Sequence, residues 1–345
     1  DRFTTDREPG FGGYASDARL TAAYGLFFFP QTHVRARLVL AECASVASEQ
    51  AWFRLRRPEV IIADFGAGTG AAGLARCLRP RARCRLHACE QHRPALDLLA
   101  GLAREIGTRR NPEVVRAIAD ALTWLPPEPV DVALAGFSLN EMFEHASDAA
   151  VLDWIGRRVE LLRPGGWLVV IEPATRVCAV RIERLRNALA SRGDLRILAP
   201  CPHHRPCPIL AMGRSNVWCH EVRRWNVPPS LRWINRRLHR DVGTLSFSFL
   251  AIERSPAPAY SSDPTAGRLV GPVRHTGGRI QSWLCASDGS MRSCEVLTRH
   301  LERARAKHLL TALQRGDRVR WISAELIADG RILRGRDIEP LDEPG

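Results

Sequence analysis

Lysine is almost missing from this chain: Lys307 is the one lysine among 50 basic residues in a length of 345. Long apolar runs are missing as well. The nearest, Leu26-Phe27-Phe28-Phe29, falls far short of the roughly 20 residues that a membrane-spanning helix requires, and no signal-peptide pattern opens the chain. There is no internal repeat, and low-complexity sequence is confined to the Ser/Pro-rich stretch 255–265, expected to be an exposed loop. Paired Cys-x-x-Cys knuckles of the zinc-finger kind are absent. The ten cysteines scatter along a long chain, and Cys43, Cys77, Cys84, Cys89 and Cys178 fall in apolar helix-like or strand-like contexts. That pattern excludes a small secreted disulfide scaffold and points to a reducing compartment. A soluble protein with no membrane partner is expected.

Charge is split unevenly between the two halves. Residues 1–175 hold 21 arginines against 21 acids, so the whole net charge of +13 lies in 176–345. Arginine bias explains the scarcity of lysine but not the missing acids. A basic half joined to a neutral one suits a polyanion, with the phosphate backbone of a nucleic acid as the usual candidate. Within that half, Arg232, Arg236, Arg237 and Arg240 recur at helical spacing and form a candidate stripe across phosphates. Trp225 and Trp233 are candidates to stack on unpaired bases.

Residues 1–57 read as a helical cap: Tyr14, Leu20, Tyr24, Phe27 and Phe28 recur at helical spacing, and Pro30 is expected to break the run before a second helix over 33–47. Strands and helices then alternate. Strands are expected at 60–65, 84–89, 114–118, 130–135 and 167–171, with helices from the glycine loop through Leu78 and over 94–107 and a further strand over 195–198. This alternation predicts an α/β fold with a doubly wound parallel sheet over 58–200. A basic, cysteine-containing, β-rich module is expected over 201–345.

Gly66-Ala67-Gly68-Thr69-Gly70 follows the first strand and opens a helix, which lets backbone approach a ligand and directs helix-start amides at it. Gly66, Gly68 and Ala71 would also satisfy a dinucleotide fingerprint, so the neighbours decide. Asp64 ends the first strand, where a carboxylate orients a methionine ammonium. Glu90 ends the second strand and suits ribose hydroxyls, and Asp120 follows the third strand near an adenine amino group. Leu162-Arg163-Pro164-Gly165-Gly166-Trp167-Leu168 resembles the helix-to-strand turn of class I methyltransferases. Together these features favour S-adenosylmethionine over a nicotinamide cofactor; an oxidoreductase would leave both that turn and the charge split unexplained.

No catalytic signature accompanies the loop. The Asn/Asp-Pro-Pro-Tyr motif of base methylation is replaced after the fourth strand by Phe137-Ser138-Leu139-Asn140-Glu141-Met142. Asn140 and Glu141 stand at the right address without the right motif; Glu141 is a candidate base and Asn140 a candidate loop anchor. Farther along, Cys201-Pro202-His203-His204-Arg205-Pro206-Cys207-Pro208 holds two cysteines on a proline-stiffened loop, followed by Trp218-Cys219-His220 and Cys285-Ala286-Ser287-Asp288-Gly289. Cys201, Cys207, Cys219 and Cys285 form a candidate metal set, for zinc or an iron–sulfur cluster.

Tyr24 to Pro30, Asp64 to Gly68, Ser138 to Glu141, the Cys201 to Pro208 element, Trp218-Cys219, Ser246 to Phe249 and Cys285 to Gly289 run collinearly through most of the chain. In these pieces it resembles the methyltransferase-like small-ribosomal-subunit protein family, known from mitochondrial small-subunit assembly and from bacterial relatives. The resemblance implies a class I S-adenosylmethionine-dependent methyltransferase (Rossmann-like) fold and binding to small-subunit rRNA during ribosome assembly. It also implies a four-iron four-sulfur (4Fe-4S) cluster on Cys201, Cys207, Cys219 and Cys285, with His203, His204, His220 and Cys294 as bystanders or outer-sphere groups. Family members of this type look more like rRNA-binding assembly factors than proven enzymes, so an active rRNA methyltransferase is the alternative function and a zinc-stabilised RNA-binding methyltransferase a second. One departure stands near the C-terminus, where Gln314-Arg315 precede Gly316-Asp317 in place of an aromatic. The short cap leads to bacterial cytoplasm as the expected compartment, with the mitochondrial matrix as alternative.

Overall fold

Val60 to Phe65 are buried without exception, as is Val130 to Ala135, the pattern of strands covered on both faces of a parallel sheet. The computed structural model describes residues 18–77, 83–106, 112–240, 242–257 and 262–341. Tyr14, Leu78, Gly107 and residues 258–261 of the Ser/Pro-rich stretch lie outside the described residues.

The described chain forms two compact units. The first runs to Ile171 and takes up a second segment beginning at Val227; the other comprises Glu172–Asn226 and the chain from Val242 onward. In the first unit, helices α1 (Ala18–Val46) and α2 (Glu49–Leu55) precede β1 (Glu59–Phe65), α3 (Ala71–Cys77), β2 (Arg83–Glu90), α4 (Arg93–Ile106), β3 (Glu113–Ile118) and β4 (Val130–Gly136). Next come α5 (Leu139–Met142), α6 (Asp148–Leu161) and β5 (Leu162–Glu172). The strands pair in parallel in the order β3-β2-β1-β4-β5. Strand order reverses between β1 and β4, and ligands of open α/β sheets bind at the carboxyl ends of strands at such a switch point. The register of β4 on β5 jumps from Val130 opposite Leu162 to Val132 opposite Trp167, so the Arg163 to Gly166 turn is a bulge within this pairing. A Cβ at Gly166 would lie 2.8 Å from the Arg163 carbonyl oxygen, which is why glycine stands there.

Pro30 does not break the cap. It lies inside a continuous helix of 29 residues. A proline removes one amide donor and pushes away the carbonyl four residues back; here Gln31 Nε2 donates to the Phe27 carbonyl at 2.8 Å and restores a bond beside the lesion.

In the second unit, α7 (Arg176–Ala190) is capped by Thr175, whose hydroxyl accepts from the Cys178 amide. It leads to β6 (Arg196–Ala199), the short helix α8 (Pro208–Ala211) and β7 (Glu221–Arg224). The chain then gives α9 (Pro229–Arg237) to the first unit, where it lies against α1 and buries Leu231 and Asn235. β8 (Thr244–Glu253) pairs antiparallel with β6 and β7. The rest is β9 (Ala266–Leu269), β10 (Arg274–Thr276), β11 (Arg279–Ala286), β12 (Met291–Leu297), α10 (Arg303–Ala312), β13 (Arg318–Ile322), β14 (Glu325–Ile327), β15 (Ile332–Gly335) and β16 (Asp337–Pro340). Their core is Leu269, Ile280, Leu284, Val296, Trp321 and Leu333 with Leu309 of α10. The units therefore divide the chain otherwise than at residue 200: the Cys201–Cys207 loop belongs with α7 and β6, and the arginine helix belongs with the parallel sheet. No described helix is long and apolar enough to cross a membrane.

Candidate functional site

The carboxyl ends of β1, β2 and β4 and the aromatic face of α1 line an open cleft. Of the expected cofactor residues, Asp64, Gly66, Gly68, Glu90 and Asp120 line it. Gly70 does not: its φ is +83°, and a Cβ there would fall 2.4 Å from Leu99 Cγ, so this glycine serves the packing of α4. Gly68 has φ +51° and open space where a Cβ would stand, which leaves its backbone accessible to a ligand.

Each carboxylate has a distinct setting. Asp64 is fully buried; its Oδ2 accepts from the Gly73 amide at 2.9 Å, while Oδ1 has no hydrogen-bond partner. Burial, opposed by that amide, lifts its carboxyl to about 7. Glu90 Oε2 accepts from the Gly68 amide at 3.0 Å and Oε1 from the His92 amide at 3.2 Å, so Glu90 fastens the glycine loop to β2. Asp120 Oδ1 accepts from the Leu122 amide at 2.8 Å at the start of a turn. The residues fit S-adenosylmethionine: an orphaned buried carboxylate oxygen awaits a cationic donor, and two further carboxylates flank a glycine cradle.

The sequence reading missed what α1 contributes. Thr21, Tyr24, Phe28, Phe29 and Thr32 line the cleft, and the Tyr24 and Phe28 rings lie 4.7 Å apart. Phe137 also lines it, with φ +61° at the end of β4, a costly conformation for a residue with a side chain. The Arg35 guanidinium sits 5.2 Å over its ring, and burial lowers that arginine to about 10. Glu141 faces the same cleft; Asn140 is not among its lining residues.

The four candidate thiols, Cys201, Cys207, Cys219 and Cys285, all line a second, small cavity. Cys207 and Cys285 pack with Ile209 and Val270 in an apolar cluster. Burial, then the neighbouring Cys201, pushes the Cys207 thiol up to about 12, and Cys219 and Cys285 are driven well upward by burial and by Cys201 and Cys207. Thiolates so placed need a compensating positive charge, which is the donor chemistry of a thiolate-bound metal or cluster. The residues thus fit the implied group. Among the described residues, no three His, Cys, Asp or Glu side chains are drawn together around a single ion position.

One face of α7 organises the cysteine loops, and sequence reasoning did not find it. Glu183 Oε1 accepts from the Cys219 amide at 2.6 Å, and Asn187 Oδ1 accepts from the Cys207 amide at 2.9 Å. Between them, the buried Arg186 donates to the carbonyls of His203 and Arg205 and to Asn187 Oδ1. Arg186 also approaches His203 Nδ1 at 3.3 Å; a guanidinium only donates, so Nδ1 is the acceptor and Nε2 carries the proton toward Cys285 Sγ, 3.4 Å away. Burial and Arg186 hold His203 down at about 4, so it stays neutral. His204 accepts from the Ile197 amide at 2.6 Å. His220 Nδ1 lies 3.2 Å from the Trp218 carbonyl. Cys294 is buried in the core formed by β9 to β16 and does not line the cavity.

Three of the four candidate RNA-binding arginines, Arg232, Arg236 and Arg237, are exposed on α9; Arg240 follows the helix end. Arg237 stacks 4.4 Å over the ring of Trp233, which is 52% exposed. Trp225 is half-buried and its Nε1 donates to the Val242 carbonyl at 2.6 Å.

Five parallel strands in this order, with a glycine turn and acidic strand ends around one cleft, define a class I methyltransferase fold. The chain belongs to the family described as "Mitochondrial small ribosomal subunit Rsm22", whose model matches residues 18–321. It is similar to the human "Ribosome assembly protein METTL17, mitochondrial", 25% identical over 254 residues; the match takes in 70% of this chain and 51% of the human protein, so the chain spans about half that relative's length. Solved structures similar to it include magnesium protoporphyrin IX methyltransferase (ChlM) from Synechocystis PCC 6803 with bound SAM (TM-score 0.38, 12% identity, 73% of this chain and 87% of that one). Another is precorrin-6y C5,15-methyltransferase from Geobacter metallireducens GS-15 (TM-score 0.33, 15% identity, 60% and 86%).

Proposed function

We propose that this chain is an S-adenosylmethionine-binding, methyltransferase-like protein that binds small-subunit rRNA during ribosome assembly and holds a 4Fe-4S cluster on Cys201, Cys207, Cys219 and Cys285. The observation that carries the reading is the convergence of these four cysteines, from three separate stretches of chain, on one cavity, in a chain that also holds a cofactor cleft. Family membership and the human relative's name support the ribosomal role. A cluster supplies positive iron to four thiolates, two of them buried, and cross-links the 201–219 loops to β11, so it serves as a structural clamp. Asp64, Glu90 and Asp120 hold the cofactor, and Arg232, Arg236, Arg237 and Arg240 contact phosphates. The mitochondrial names support the matrix alternative for the compartment; bacterial cytoplasm has no such support.

Anaerobic purification with iron, sulfide and zinc analysis tests the clamp. Wild type is expected to carry stoichiometric iron and sulfide with a broad visible absorption band, and Cys207→Ser to lose both. Zinc in place of iron, or no metal, sinks the cluster.

A second reading, an active rRNA methyltransferase, is favoured by one observation: Glu141 faces the cofactor cleft. On that reading labelled methyl passes from S-adenosylmethionine to small-subunit rRNA, and Glu141→Gln lowers the rate at least about 100-fold, the usual worth of a general base. No transfer by the iron-loaded wild type removes this second reading and leaves the first.

A further inference from the structure

The second unit ends in a ring of strands. β9 pairs with β11 on one side and with β13 on the other, both antiparallel; β11 pairs antiparallel with β12. β12 pairs in parallel with β15, and β16, one residue farther along the chain, pairs antiparallel with β13. Residues 332–340 therefore close the ring between the third strand, β12, and the fourth, β13, while α10 lies in the connection between those two. A five-stranded barrel in this order, with a helix between its third and fourth strands, is the oligonucleotide/oligosaccharide-binding arrangement, whose second and third strands offer an outer face to ligands. Fold alone names no ligand, so the side chains must.

Along β11, Ile280, Leu284 and Ala286 enter the barrel core, and Arg279, Gln281 and Trp283 alternate outward. Trp283 is 43% exposed, although a large aromatic on a strand ordinarily seeks cover. Its indole lies against Gly271, where a Cβ would stand 3.1 Å from Trp283 Cδ1, and the residue opposite on β12 is the small Ser293. The two-residue turn Gly277-Gly278, both at positive φ, folds β10 back and sets exposed Arg274 beside Gln281. Glu295, the acid on this part of the face, accepts from Arg279 and Gln281 at 3.3 Å and from Arg334 at 2.8 Å, so two guanidinium groups offset it. Residues 266–322 carry eleven arginines and lysines against four acids. An exposed stacking surface within a positive field is what single-stranded nucleic acid binds.

We propose that the outer face of β10, β11 and β12 binds single-stranded RNA, with an unpaired base stacked on Trp283 and the adjoining phosphates on Arg274 and Arg279. The choice of RNA rests on the rRNA-binding reading above. The surface shares no residue with the arginine set of α9, so each can be mutated without the other.

Iron-loaded wild type, Trp283→Ala, Trp283→Phe and an Arg236→Ala/Arg237→Ala variant are titrated into a labelled 12-nucleotide oligouridine and into a 12-base-pair RNA duplex, with circular dichroism checking the fold. Stacking on one base is worth about 5- to 150-fold in affinity. Trp283→Ala is expected to weaken the single strand by roughly 10-fold or more with little change on duplex, and Trp283→Phe to keep most of the affinity. Unchanged single-strand binding by Trp283→Ala, or an equal loss on both RNAs, overturns the stacking face. If only the α9 variant weakens binding, this inference falls while the rRNA-binding reading stands; wild type that binds neither RNA overturns both.

Discussion

Arg186→Ala is expected to destabilise the second unit by about 3 kcal/mol or more and to leave the protein unable to retain iron. The side chain is 2% exposed and donates to two loop carbonyls, those of His203 and Arg205. Alanine leaves both without their donor, opens a cavity among close-packed groups and frees Asn187, whose oxygen accepts from both Arg186 and the Cys207 amide. The loop that carries Cys201 and Cys207 then loses its hold on α7. Arg186→Lys keeps the charge, but a single ammonium does not reproduce a fork that reaches two carbonyls and Asn187 together, so it should recover less than half of the loss. Urea unfolding of wild type and variants purified anaerobically in the same way, with iron per chain measured in parallel, checks both effects. A variant with wild-type midpoint and full iron content would remove Arg186 from the framework of the site.

The α7 framework shows what the sequence did not disclose. Glu183, Arg186 and Asn187 stand at helical spacing on one face, a pattern present in many solvated helices. Their partners are backbone groups of loops, and no local residue pattern marks a carbonyl that requires a donor. The cysteines were legible for the opposite reason: prolines beside Cys201 and Cys207 mark a rigid loop in the sequence itself, and the structure brings both, with Cys219 and Cys285, to one cavity. Strands β1 to β4 were read to within one residue at each end; in β1 and β4 burial on both faces writes near-continuous apolar runs, while β3 at the sheet edge alternates partly exposed residues. Pro30 misled because the repair comes from a neighbouring side chain, Gln31, and not from the backbone. The arginines were read as one helical stripe from Arg232 to Arg240; α9 carries Arg232, Arg236 and Arg237 and ends before Arg240, and it falls in the first unit, since Leu231 and Asn235 give no local sign of which core receives them.

The cysteine cavity and the proposed RNA face are joined by strand geometry. Cys285 and Trp283 stand two residues apart on β11 and so share its outward side, about 7 Å from each other along the strand. On the proposed reading, a group bound to Cys285 fixes the end of the strand that presents Trp283.

Asp64→Asn should abolish the pH dependence of cofactor affinity and weaken binding by about two orders of magnitude at pH 8, the usual cost of losing a charge-assisted hydrogen bond of up to about 3 kcal/mol. In the free protein the Asp64 carboxyl titrates at about 7 because burial outweighs the Gly73 amide. A cationic ammonium at the unpartnered Oδ1 requires the ionised form, so below pH 7 binding must release a proton. The wild-type Kd is therefore expected to tighten about tenfold per pH unit from pH 5 to 7 and to level off above. Asparagine keeps an oxygen for Gly73 but carries no charge, so its weaker Kd is flat over the same range. Stability changes in the opposite sense. Between about pH 4, where an unfolded aspartate titrates, and pH 7, the folded state binds the extra proton, so ligand-free wild type loses stability as pH rises, by an amount on the order of 4 kcal/mol across the window. Asp64→Asn lacks that slope and should be the more stable protein at pH 8 without cofactor. Calorimetric titration with S-adenosylmethionine at pH 6, 7 and 8, beside thermal unfolding of both ligand-free proteins, reads the two effects together. Parallel pH profiles for wild type and variant would place the cofactor's ammonium elsewhere in the cleft.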